Sequence, residues 1–211
     1  MRFLKSVQLI KKLNNTELGK SGTHDTYILV PKTLDVTDIF PEVNTFYQFI
    51  DKEDGDVISI RRTEGRETRI VGLGQYYTKR DLCAGDEIYL EKRLINGENA
   101  WFIDCNKKTN RVMLQKSSYG FEVLTPERIE LFNDKLSMNG KKLALNFLEA
   151  KKKRQDSPDT TDFYELLLDG EEAANGYSSK EIIEIEIVDN EARINRFVTW
   201  KKSIVETGDE C

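Results

Sequence analysis

The chain predicts a mainly β protein, an antiparallel barrel or sandwich with a few helices mostly in its C-terminal half. Two observations carry that expectation. Six short runs rich in β-branched and aromatic residues follow one another: "YILV" (27–30), "DVISIRR" (56–62), "TRIVGL" (68–73), "DEIYLEKRL" (86–94), "NAWFIDC" (99–105) and "RVMLQK" (111–116). Turn-forming clusters separate them, among them "DKEDGD", "EGRE", "AGD", "NGEN" and "NKKTN". Evenly spaced strands of this kind close or stack into barrels and sandwiches.

Taken in order, "MRFLKSVQLIKKL" is basic and apolar, but lysines interrupt it and no small-residue cleavage site follows. It is expected to be the first structural element rather than a signal peptide. The less regular stretch "VTDIFPEVNTFYQFI" suggests a helical turn around 35–40 stopped by Pro41. "VGLGQYY" reads as a bent strand end, and Asn96-Gly97 suits a type I′ hairpin turn. After Pro126 the character changes. "TPERIELFNDKL" offers Thr125 as an N-cap, proline at the first helical position and acids in the first turn, and "GKKLALNFLEAKKKRQ" (140–155) is rich in helix formers. "SPDTTD" reads as a loop. "EIIEIEIVDNEARINRFVTW" (181–200) suggests two strands with Ile183, Ile185 and Ile187 on one face, and "ETGDEC" a frayed or linker-like tail. The expected division is a core at 1–125 and a C-terminal part at 126–211 that completes or caps it.

No run of about 18 apolar residues is present. Cys83, Cys105 and Cys211 are odd in number and far from one another and from His24, the single histidine, so reduced thiols in a cytoplasmic protein are expected and a zinc knuckle is not. The formal charge of −5 hides segregation. Residues 1–34 hold six bases against two acids, and residues 57–80 again six against two. Residues 35–56 hold seven acids and one lysine, and residues 155–211 fifteen acids against five bases. An acidic protein of this type can still present local basic patches to a polyanion, because screening confines each field to about 10 Å.

His24 ends a polar, glycine-punctuated loop directly before a strand, where it could serve catalysis, a metal, a DNA base edge or loop packing. No Gly-x-Ser-x-Gly context, phosphate loop or dinucleotide fingerprint accompanies it. Glu149-Ala150-Lys151, with Asp134 upstream, matches the acid and Glu-x-Lys pattern of Mg²⁺-dependent nucleases, but in a run that reads as helix rather than strand. Better supported is DNA reading. "IRRTEGRETRIVG" (60–72) sets Arg61, Arg62, Arg66 and Arg69 around a Glu-Gly turn together with Glu67. Arginine forks match guanine O6/N7 and a glutamate can accept from cytosine N4.

The segment "KKLNNTELGKSGTHDTYILVPKTLDVTDIFP" (11–41) resembles the N-terminal effector-binding domain of EcoRII-type restriction endonucleases. The likeness is ungapped from Lys11 to Pro31 and holds at Lys11, Leu13, Gly19, Gly22, His24 and Pro31. "RETRIVG" (66–72) is more loosely similar to that domain's second recognition segment, through Glu67 and Arg69. The likeness covers roughly the first 75 residues, the next 50 by strand pattern only, and the rest scarcely. It implies an open pseudobarrel of the plant B-three type whose two arms, the loop ending at His24 and the loop around 61–69, grip the major groove. Implied base readers are His24, Asp25, Arg66, Glu67 and Arg69, and implied phosphate binders are Lys12, Lys20, Arg61 and Arg62. The implied partner is double-stranded DNA carrying a CCWGG-like site. No cofactor is implied for binding, Mg²⁺ being expected only for a separate nuclease domain of the same polypeptide. An aromatic recognition position of the family corresponds to Leu29, and a lysine of the second arm to Thr63. Alternatives are a small nuclease using Asp134, Glu149 and Lys151, and a protein-interaction barrel whose acidic C-terminal half is the working surface.

Overall fold

The computed structural model describes residues 3–20, 26–152 and 160–208, and the chain divides into two compact units, Met1–Lys107 with Val198–Cys211, and Lys108–Phe197. The expected division at 125/126 falls inside the second of these.

The first unit contains β1 (Phe3–Lys12), β2 (Tyr27–Val30), β3 (Phe46–Asp51), β4 (Val57–Thr63), β5 (Thr68–Val71), a short helix α1 (Gly74–Lys79), β6 (Glu87–Ile95) and β7 (Glu98–Asn106). The second contains β8 (Arg111–Ser117), β9 (Gly120–Val123), β10 (Ser137–Met138), β11 (Lys141–Lys151), β12 (Thr161–Leu168), β13 (Glu171–Glu172), β14 (Ile182–Val188) and β15 (Glu191–Arg196). Two 3₁₀ helices, Pro126–Leu131 and Ala173–Gly176, also belong to it. The last strand, β16 (Trp200–Gly208), returns to the first unit.

The mainly β expectation holds. The first sheet runs β16-β1-β6-β7-β3-β4-β5-β2 and curls into a half-barrel. Its pairings are antiparallel except β3 with β7. Two-residue alternation sets the curl: Tyr47 and Phe49 on β3, Ile60 on β4, Ile70 on β5, Ile28 on β2 and Leu90 on β6 all point into one core. In the second unit β11-β10-β15-β14-β8-β9-β12 form a ring, because β12 pairs back onto β11, and this seven-stranded barrel is closed. Val112, Leu114, Phe121, Leu143, Leu166, Ile183 and Ile185 fill it. Ile183, Ile185 and Ile187 share the buried face, as the alternation in "EIIEIEIV" requires. The turns that join β6 to β7 and β14 to β15 carry positive φ at both central residues, 53° and 89° at Asn96 and Gly97, and 51° and 63° at Asp189 and Asn190, as type I′ hairpins demand.

Four expectations are corrected. The described part of 140–155 forms no helix: Lys141–Lys151 is strand β11, and residues 153–155 lie outside the described residues. In "LALNF" the alternation of Leu143 and Leu145 with Ala144 and Asn146 offers an apolar face of period two, and pairing with both β10 and β12 satisfies the backbone, so tertiary pairing overrides helix propensity. Residues 125–136 give only the 3₁₀ helix Pro126–Leu131, and the Thr125 hydroxyl caps nothing, accepting instead from the Met113 amide at 3.0 Å. After β5 the chain enters α1 at Gly74 rather than ending as a bent strand. Gly72, at φ +104°, makes the bend, where a Cβ would collide with the Ser59 carbonyl. Of the tail "ETGDEC", residues 206–208 belong to β16, laddered along β1 and tied by Lys5 to Glu206 at 2.9 Å, and residues 209–211 lie outside the described residues.

Glu91, on β6, gives the first unit a testable pH dependence. Its carboxylate is 6% exposed and receives hydrogen bonds from Ser6 Oγ (2.5 Å) and Arg93 Nε (2.7 Å), and it pairs with Lys52 Nζ at 2.6 Å. Burial pushes its pKa up, but Arg93, Lys52 and Ser6 outweigh this and bring it from 4.5 down to about 2. A depressed folded value contributes stability that is complete above the unfolded value and lost as pH falls from about 4.5 to about 2. Urea titrations across that window should show the wild type losing about 3 kcal/mol more than Glu91→Gln.

Candidate nucleic-acid interface

Strands β3, β4, β5 and β2 lie side by side, and their outward residues form one surface. Register sets Phe46 beside Arg61, Arg61 beside Val71 and Val71 beside Tyr27, a single row across four strands. The next row holds Thr63, Arg69 and Leu29. Two guanidiniums lie on aromatic rings here: Arg61 at 4.8 Å from the Phe46 centroid and Arg69 at 4.1 Å from that of Tyr27. Phe46 is 53% exposed and Leu29 43%. The surface is thus both cationic and apolar, suited to phosphates, base edges and thymine methyl groups alike.

The turn between β4 and β5 crowns one side of it. Arg66 is exposed there. Glu67 Oε2 accepts from Arg69 Nε and Nη2 at 3.3 and 2.9 Å, so these two predicted readers form one ion pair. Arg62 behaves otherwise. Alternation turns it to the inner face beside Ile60, where it is 7% exposed, pairs with Glu64 at 3.0 Å and reaches the Pro41 carbonyl at 3.5 Å. Its guanidinium is withdrawn from the surface that a phosphate would meet. Lys12 is likewise buried, at 9% exposure.

The other predicted arm is described only up to Lys20 and again from Thr26; His24 and Asp25 lie outside the described residues. Its root is well defined. Lys11 and Glu17 form an ion pair of 2.8 Å with both side chains under a tenth exposed. The Glu17 carboxylate also accepts from the Asn14 amide at 3.2 Å, and the Glu17 amide donates to Asn14 Oδ1 at 3.0 Å. Burial pulls the Lys11 pKa down and pushes that of Glu17 up against their mutual attraction. Lys20 is exposed, its ammonium donating to the Leu82 carbonyl at 3.2 Å.

Tyr27 pairs with Val71 and Val30 with Thr68, so the loop before β2 and the turn before β5 depart from opposite ends of one ladder. Three residue steps separate these ends by about 10 Å, comparable with the roughly 12 Å width of the major groove. The cationic excess of residues 57–80 is smaller in space than in sequence. Lys79 meets Asp54 and Asp56 at 2.6 and 2.5 Å, and Arg80 binds Asp51, Asp54 and Glu53, so the acidic turn after β3 neutralises them.

The nuclease pattern is dispersed into local pairs. Glu149 meets Lys151 at 2.6 Å and Asp134 faces Lys142 at 3.8 Å. Among the described residues no three of His, Cys, Asp and Glu gather to hold a metal ion. Sequence reasoning missed Tyr27, Phe46 and the Lys11–Glu17 pair. The two aromatics were legible in principle, since they alternate with Ile28 and Tyr47, which are buried; the ion pair joins residues whose meeting only the fold decides.

Removing one partner from that pair should cost about 3–5 kcal/mol, because a buried charge is left uncompensated. Glu17→Gln is therefore expected to unfold well below the wild type, and Lys11→Met combined with Glu17→Leu to recover most of the loss, as thermal unfolding of the three proteins would show. No protein-family model matches this chain, and no curated protein matches it either.

Proposed function

We propose that this protein binds duplex DNA sequence-specifically, as the recognition domain of a type II restriction system, through the outward face of β3, β4, β5 and β2. The observation that carries the reading is the pair of arginine–aromatic stacks, Arg61 on Phe46 and Arg69 on Tyr27, on a surface bracketed by the roots of two loops. Arg66, Glu67 and Arg69, with His24 and Asp25, read base edges of a CCWGG-like site in the major groove. Lys20 and Arg61 hold phosphates, while Lys12 and Arg62, both buried, take no part in that. Binding calls for no cofactor, and cleavage belongs to a nuclease domain elsewhere in the polypeptide, where Mg²⁺ would act. No helix among the described residues is long and apolar enough to cross a membrane, and Cys83 and Cys105 form no disulfide, in keeping with a reducing cytoplasm.

Selection of bound duplexes from a random pool tests the reading directly. A defined consensus is expected, with binding that declines steeply as salt rises because phosphate neutralisation releases counterions. Recovery of unselected sequences, or binding indifferent to salt, defeats it. Arg69→Ala should cost about 1–3 kcal/mol and relax a single base position, whereas Arg61→Ala should weaken all duplexes evenly and lower the salt slope by about one. Incubation of the chain with plasmid and Mg²⁺ should retard the DNA on a gel without nicking it.

A further inference from the structure

The structure assigns to Tyr27 the part of a positioning residue: we infer that its ring fixes the Arg69 guanidinium in the orientation that reads one C·G pair together with Glu67. The inference rests on the DNA-binding reading above. An exposed arginine near a strand end samples many rotamers, at a cost of about 2 kcal/mol when it is finally fixed. Arg69 is held from two directions. Tyr27 sits diagonally across the ladder, since Leu29 is the residue directly opposite Arg69, and such diagonal neighbours lie within reach of aromatic and long side chains. Its ring centroid lies 4.1 Å from Arg69 Cζ, while Glu67 Oε2 takes Nε and Nη2 along one edge of the guanidinium.

Stacking occupies a face of the guanidinium, and hydrogen bonding runs in its plane, so the ring constrains orientation without competing for the donors. The platform is itself rigid. Ile28 and Val30, on the reverse of β2, are buried in the core, and β2 is laddered to β5 from Tyr27 to Val30. A carboxylate held beside a guanidinium offers an acceptor for cytosine N4 next to donors for guanine O6 and N7, the complement of one C·G pair. Discrimination at that pair therefore depends on Tyr27 although the phenol need not touch DNA.

The test uses the full chain with its selected duplex and every single-base variant of it, for wild type, Tyr27→Leu, Tyr27→Phe, Arg69→Ala and Tyr27→Leu/Arg69→Ala. Tyr27→Leu should lower discrimination about 2- to 30-fold, the span of a cation–π contact, and only at the base pair that Arg69→Ala relaxes. Tyr27→Phe, which keeps the ring, should restore it, and adding Tyr27→Leu to Arg69→Ala should cause no further loss. Wild-type discrimination in Tyr27→Leu overturns the assignment, as does a loss in the double variant that multiplies the single losses, which would mean that Tyr27 contacts DNA on its own account. Failure of the wild type to select any duplex removes the DNA-binding reading and this inference with it. Selection by the wild type without the Tyr27 pattern removes this inference alone.

Discussion

The first unit depends on one buried ion pair. A sheet that curls only half-way leaves two edge strands, β16 and β2, and the chain between β1 and β2 must run from one region of the sheet to its far edge. Lys11 on β1 and Glu17 in that connection meet away from solvent, and the nearby backbone of β2 at Leu29 also favours the charged carboxylate. One side chain thereby ties the first strand, the connection and the last strand of the sheet together. The arrangement is costly in desolvation, as the opposed pKa displacements of the two groups show, and its benefit is geometric. With Leu29 held, Tyr27 is held, and with Tyr27 the guanidinium that lies on it.

Charge follows the same logic of local compensation. The molecule is anionic overall, yet its bases fall into two populations. Lys11, Arg62 and Arg80 are consumed inside the protein by Glu17, Glu64 and the acidic turn after β3. Arg61, Arg66 and Arg69 remain on the outward face or at its margin, two of them laid on aromatic rings rather than extended into water. A tally of charge along the chain cannot separate these populations, because inward and outward residues alternate: Arg61 and Arg62 are neighbours in sequence and opposites in environment.

That alternation also sets how much was legible beforehand. Hairpins announced by Asn96-Gly97, and the isoleucine ladder of β14, depend on local chemistry and were visible in the residues themselves. The arginine turn was visible for the same reason, although the pairing of Glu67 with Arg69, two positions apart, was not singled out. Residues 140–155 were misread because alanine, leucine, glutamate and lysine favour a helix in isolation, whereas here partners on both sides, β10 and β12, claim the backbone. The inward turns of Arg62 and of Lys11 follow from strand parity, which a run of charged residues does not reveal until the register is known.

The return of β16 to pair with β1 has a consequence for biosynthesis. β1 ends at Lys12 and its partner begins at Trp200, so the entire second barrel is translated between them. At ribosomal speeds of about 5–20 residues per second this interval lasts roughly ten to forty seconds. The inserted barrel draws all its strands from one contiguous segment and can close while the outer sheet still lacks an edge. Nascent chains consequently emerge with the Val7 and Leu9 strand awaiting its neighbour, a long-range closure of the kind that folds slowly and leaves an unpaired edge open to chaperones in the meantime.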